Sequence, residues 1–205
     1  MPFTIPKTQT PIPDPGNHLA IAIQVIDLGT QESATPGFKA ARKIRIVWEL
    51  PHEKYKFSEE KGEEPFTVAK EYTLSMNEKS NFRKDLESWR GKKFSEEECS
   101  VFDETKIIGK PCFVSVIHVE KPTKTYANVN AVTAIPKGTT VPPQHNASIV
   151  YNTADGRNTT YLSLSEFWQK KIALSPEFQA NTSPAMTPED DESGDNSLLD
   201  EEVPF

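Results

Sequence analysis

Lys54-Tyr55-Lys56-Phe57 alternates ammonium groups with aromatic rings in a polar stretch, the combination needed to hold a polyanion that carries flat bases. Arg42, Lys43 and Arg45 lie just upstream, and Lys121 and Lys124 precede Tyr126 and Asn128. Cations in such clusters can track a phosphate backbone, and an exposed ring stacks on a base at about 1–3 kcal/mol. A group of another kind closes the chain. In Asp200-Glu201-Glu202-Val203-Pro204-Phe205, three carboxylates precede an apolar tip, with the free carboxylate of Phe205 beside them, which suits a basic, apolar pocket on a partner.

Catalytic chemistry has fewer candidates. The sequence has no Gly-rich phosphate loop and no Gly-x-Ser-x-Gly, and its four histidines are dispersed rather than set at metal spacing. His118 stands in an apolar strand and reads as a packing or solvent-edge residue, while Glu59-Glu60, Glu63-Glu64 and Glu96-Glu97-Glu98 read as solvated surface. No catalytic residue, metal site or cofactor is expected. Cys99 and Cys112 match neither a disulfide framework nor a zinc site and are expected to be buried, reduced thiols.

The net charge of −7 divides unevenly along the chain. All 23 Lys and Arg lie at or before Lys171 against 21 acids, whereas Ala173 to Phe205 holds nine acids and no cation. The body is therefore +2 and the tail −9, so the overall acidity belongs to the tail. Residues 181–205 carry too little apolar surface to offset their ordering entropy, and a disordered, partner-docking acidic tail is expected. Residues 1–17, with Pro2, Pro6, Pro11, Pro13 and Pro15, read as an extended N-terminal arm. The remainder, 18–180, suffices for one domain with a core of ordinary size. With no secretory leader and no apolar run near the roughly 18 residues of a membrane span, a soluble cytoplasmic protein is expected.

Several elements must position these residues. Leu19–Asp27 is β-branched and predicts a first strand; Lys43–Leu50 alternates and predicts a second, with Lys43 and Arg45 outward and Ile44, Ile46 and Trp48 inward. Pro51 is expected to end it, leaving residues 52–65 as a loop that includes Lys54 to Phe57. Phe66–Met76 predicts a third strand with Tyr72 inward. The period then changes to 3.6: Phe82, Leu86 and Trp89 share a helical face that ends at Gly91, and Ser95 with Glu98 forms a capping box for a short second helix. Trp48, Tyr72 and Trp89 are assigned to the core. Cys112–Val119, apolar on both faces and so expected to be covered on both, pairs with Tyr126–Ile135 as a hairpin. A small hairpin joined by Asp155-Gly156 is expected between Ile149–Tyr151 and Thr160–Leu162, followed by a helix from Ser165 to Ile172 and one further turn at Pro176. The order β-β-β-α-β-β predicts a mainly β protein built on a five-stranded OB-fold barrel, with a helix between strands three and four and an extra short C-terminal helix. A mixed α+β sheet shares that order.

Trp89-Arg90-Gly91-Lys92-Lys93-Phe94, Gly109-Lys110-Pro111-Cys112, Tyr126-Ala127-Asn128-Val129 with Pro136-Lys137-Gly138, and Glu166-Phe167-Trp168-Gln169-Lys170-Lys171-Ile172 with Ser175-Pro176-Glu177-Phe178 resemble blocks of a family of phage and prophage single-stranded-DNA-binding proteins. The similarity spans roughly residues 18–180, and the Pro-Phe tip resembles the acidic tails of bacterial and phage proteins of this kind. The tip departs in having Glu201-Glu202-Val203 where the bacterial pattern has Asp-Asp-Ile. The resemblance implies a protein of the bacterial host cytoplasm that coats single-stranded DNA without strong sequence preference during phage DNA replication, recombination or repair. Arg42, Lys43, Arg45, Lys54, Tyr55, Lys56, Phe57, Lys121, Lys124, Tyr126 and Asn128 are the expected DNA contacts. Asp200, Glu201, Glu202, Val203, Pro204 and Phe205 would recruit replication or recombination proteins, and the tail's charge could also compete with DNA for the body. The alternative is an interaction adaptor or DNA mimic acting through the acidic tail.

Overall fold

Alternating and β-branched stretches become strands in the computed structural model, which describes residues 11–33, 35–60, 62–122 and 124–182. Strands β1 (Gly16–Gln31), β2 (Ala41–Ser58) and β3 (Gly62–Thr73) come first, then helices α1 (Asn81–Arg90) and α2 (Glu96–Ser100) and a 3₁₀ turn at Glu104–Ile107. Strands β4 (Pro111–Glu120), β5 (Thr125–Thr133) and β6 (Ile149–Tyr151) follow, and α3 (Thr159–Ser163), α4 (Glu166–Ala173) and α5 (Pro176–Thr182) complete the body. The sheet order is β3-β2-β1-β4-β5, antiparallel throughout, and it curls into a half-barrel; β6 joins β1 in parallel.

Strand β1 explains why its sequence is apolar on both faces. Ala20 and Ala22 face the interior, a register shift between Ala22 and Gln24 exchanges the faces, and Val25 continues the interior row. On the other side, Ile21 and Ile23 pack with Val47 and Val141, and Ile26 and Leu28 pack with Tyr151, Tyr161, Leu164, Ile172 and Phe178 from the C-terminal extension. Each fully buried aliphatic side chain contributes about 1.5–3 kcal/mol of transfer free energy. The interior holds Ile44, Ile46, Trp48, Val68 and Tyr72 from β2 and β3, closed below by Phe82 and Leu86 of α1. Trp48 and Tyr72 are buried and Trp89 packs half-buried against them, as their parity and helical spacing predicted. Ser80 caps α1, Gly91 ends it in the left-handed region at φ 71°, and the Ser95–Glu98 capping box is formed.

Four expectations are corrected. Pro51 does not end β2; it is buried at a register break between Leu50 and Lys54, where its missing N–H leaves no ladder bond unmade, and the strand runs on to Ser58. Ile149–Tyr151 pairs with Gln24–Ile26 of β1 rather than with Thr160–Leu162, because Asn158 accepts a hydrogen bond from Tyr161 N and starts a helix there. The outer face of β4 is only partly covered, with Ile117 41% exposed. Cys112 is buried but Cys99 is half-buried; both are free.

The extension is bound to the sheet through three carboxylates, Asp27 and Glu49 buried and Glu177 half-buried. Asp27 accepts from Arg42 Nη2 at 2.6 Å and Nε at 3.2 Å, from Thr153 Oγ1 at 2.6 Å and N at 3.2 Å, and from Gly29 N at 3.0 Å. Burial alone would raise the Asp27 carboxyl; the hydrogen bonds from Arg42, Thr153 and Gly29 outweigh it and hold the group below its ordinary value. Glu49 on β2 is fully buried and accepts from His145 N at 2.8 Å and from Asn146 N and Nδ2 at 2.7 Å each. Glu177 on α5 receives Thr30 N at 2.8 Å and Thr30 Oγ1 at 2.5 Å.

Candidate nucleic-acid interface

Three depressions run end to end along β3. The first, about 470 Å³, is lined by Ile12, Phe57, Phe66, Lys124 and Tyr126 among others. The second, about 620 Å³, is lined by Arg45, Lys70, Glu71, Lys121, Tyr126, Asn128, Phe167 and Trp168. The third, about 440 Å³, is lined by Lys43, Lys70, Glu71, Asn77 and Lys79. Arg45 and Tyr126 belong to the first two and Lys70 and Glu71 to the last two, so the three form one groove. It follows the seam where the two edge strands of the half-barrel, β3 and β5, approach; Lys70 Nζ crosses this seam to Asn130 O at 3.1 Å.

Charge is concentrated in this groove. Among the described residues its lining includes Lys43, Arg45, Lys70, Lys79, Lys121 and Lys124 but a single carboxylate, Glu71, and Lys171 Nζ sits 2.6 Å from Glu71 Oε2. A body of +2 thus gathers much of its cationic potential on one face. Lys70 also donates to Asp85 Oδ2 at 2.7 Å, and Tyr72 OH donates to the same oxygen at 2.8 Å. Lys43 donates to Thr73 Oγ1 at 2.7 Å.

Rings line the same surface. Tyr126 is 40% exposed, with Lys121 Nζ and Lys124 Nζ 5.2 and 5.8 Å from its ring centre. The turn 121–124 that carries these lysines is closed by Lys121 N to Lys124 O at 3.0 Å and Lys124 N to Lys121 O at 3.2 Å. Across the groove, the Arg45 guanidinium lies 4.5 Å from the ring centre of Trp168. Desolvation lowers the Arg45 pKa and nearby Glu71 raises it, but a guanidinium this basic stays charged. Phe167, 65% exposed, meets Trp168 edge-on at 4.8 Å. At the other end, Phe57 packs 5.3 Å from Phe66 and 5.2 Å from Tyr55.

Lys43, Arg45, Phe57, Lys121, Lys124, Tyr126 and Asn128 therefore come together as groove residues. The remaining four expected contacts lie outside it. Arg42 is engaged with Asp27, and Lys56 is paired with Glu59. Lys54 and Tyr55 belong to the projecting end of the β2–β3 hairpin, opposite Pro65 and Glu64, with Tyr55 on the Phe57 side and the two lysines on the other. What sequence parity described as an interleaved loop is a two-sided strand, one face aromatic and the other cationic. Sequence reasoning missed Lys70, Lys79, Phe167 and Trp168. Lys70 breaks an inward apolar row between Val68 and Tyr72, and Phe167-Trp168 is an adjacent aromatic pair that a single apolar helix face cannot hold; both were signals. Asp200 to Phe205 lie outside the described residues.

No metal-binding cluster of His, Cys, Asp or Glu occurs among the described residues. No helix among them is long and apolar enough to cross a membrane. No protein-family model matches the chain, and no curated protein does.

Proposed function

We propose that the protein binds single-stranded DNA along the β3–β5 groove, without strong sequence preference, and that its body is an OB-type barrel. The observation that carries this reading is the coincidence, in one groove, of six cations against one carboxylate with the exposed rings of Tyr126, Phe167 and Phe57. Phosphates find cations along the rim, and unstacked bases find ring faces beside them; a duplex offers the phosphates but keeps its bases stacked. The strand order β3-β2-β1-β4-β5, with α1 between β3 and β4, supports the barrel reading, as does a groove beside β3 and the β4–β5 turn, where that fold takes oligonucleotides. A role in phage DNA replication, recombination or repair extends the same reading through the sequence resemblance.

Titration of the full chain with labelled oligo-dT and with a duplex of equal length, across a salt series, tests it. The single strand binds well and the duplex poorly if bases stack in the groove. Equal affinities would leave only phosphate attraction, and no binding to either would favour an adaptor acting through the tail.

A further inference from the structure

The far end of α1 opens a second cavity, of about 530 Å³, that shares no residue with the groove. Leu86, Trp89, Phe102 and Ile135 make its apolar floor, and Trp89 is fixed there by an Nε1 bond of 2.8 Å to Pro111 O. Arg90, Lys106 and Lys110 line the rim, and among the described residues no carboxylate lines the cavity. Arg90 pairs with Glu98, but Lys106 and Lys110 form no ion pair among the described residues. Ser80 and Asn81, at the start of α1, line the groove; the ten residues of the helix place this cavity about 15 Å away.

Such a cavity selects apolar side chains accompanied by carboxylates. Two long stretches of this chain lie outside the described residues. Residues 1–10 offer Phe3 and Ile5, but their one charged side chain is Lys7, of the same sign as the rim, and they join the body at Pro11, inside the groove. Residues 183–205 hold eight acids and no cation, and three of those acids directly precede Val203-Pro204-Phe205. A stretch of 23 residues reaches up to about 75 Å from Thr182, against a body diameter of about 40 Å. We propose that Asp200–Phe205 docks in this cavity, with Phe205 and Pro204 on the floor and Asp200, Glu201 and Glu202 against the rim. The tip then has a seat on its own kind of body, separate from the groove, and DNA and tip are held together rather than in exchange.

The test uses the full chain carrying Phe205→Ala, so that its own tip is disabled, and a fluorescein-labelled peptide of residues 196–205 followed by anisotropy. Saturable binding is expected in the micromolar range, lost when the peptide carries Phe205→Ala. Adding Lys106→Glu and Lys110→Glu to the receptor should weaken it by about tenfold or more, because two exposed rim charges are reversed rather than removed. Saturating oligo-dT should leave peptide affinity unchanged. Absence of saturable binding, indifference to the rim reversal, or displacement by oligo-dT overturns the proposal. A benzophenone placed at position 205 of the otherwise unaltered chain gives an independent result: crosslinks to Trp89 or Phe102 support the seat, and crosslinks to Tyr126 or their absence refute it. None of these outcomes depends on whether the groove binds DNA, which the oligonucleotide titration decides separately.

Discussion

Replacing Lys121 and Lys124 together by Gln removes two of the six groove cations at a turn that lies outside the apolar core. If the groove neutralises phosphates with its net charge of about five, log affinity for a single strand falls with log salt at a slope of about −3.5, taking −0.7 per phosphate. The double substitution lowers that slope to about −2.1. Referred to 1 M salt, where released counterions contribute nothing, each lost contact weakens binding about fivefold at 0.1 M, so the pair costs about 25-fold or 1.9 kcal/mol. At 0.5 M the same change costs only about threefold. Fluorescence titrations of labelled oligo-dT at five salt concentrations read both slope and offset. An unchanged slope, or an equal fold-loss at every salt concentration, would mean that the β4–β5 turn does not meet phosphate and that the groove assignment is wrong.

Tyr126→Ala and Phe167→Ala should each weaken oligo-dT binding by about 1–3 kcal/mol with little change in melting temperature, since both rings are substantially exposed; unchanged affinity would make them idle surface. Asp27→Asn should lower unfolding free energy in urea by about 2–3 kcal/mol, because charge-assisted bonds from Arg42 and Thr153 weaken together. The Asp27 carboxyl has a depressed folded-state pKa, so its stabilisation is present above the unfolded value near 4 and disappears as pH falls through the folded value; Asp27→Asn should flatten that acid limb, measured by urea melts between pH 2 and 7. Gly29→Ala should destabilise by about 1–3 kcal/mol in the same assay, because φ is +67° and the new Cβ would lie 2.4 Å from Ser175 Cβ; a neutral result would mean that α5 moves aside.

Sequence pattern revealed what local physics dictates. Gly91 and the Ser95–Glu98 box marked the end of α1 and the start of α2, and alternation in Lys43–Leu50 separated Arg45 from the inward Trp48. Hidden from it were the partners supplied from far along the chain. Val47 and Glu49 share Arg45's parity, which reads as outward and wet, yet residues 141–146 fold over both and leave Arg45 at the edge of that cover. The three-residue parallel pairing of β6 with β1 has no periodicity long enough to read, so a local hairpin was the natural expectation. In the groove, Lys43, Arg45 and Tyr126 were legible because solvent-facing parity singles them out, and Lys121 and Lys124 because they flank the turn before Tyr126. Trp168 was not, because only the tertiary position of α4 sets it beside Arg45.

The parallel pairing of β6 with β1 also governs timing. Thr153 reaches Asp27 across 126 residues of chain, and at about 5–20 residues per second a ribosome needs about 6–25 s to make that interval. All five strands of the half-barrel are complete by Thr133, before Ile149 exists. Each nascent copy therefore passes through a period in which the edge of Gln24–Ile26 is bare, and chains arrested between those two residues would be the ones most prone to pair edge to edge.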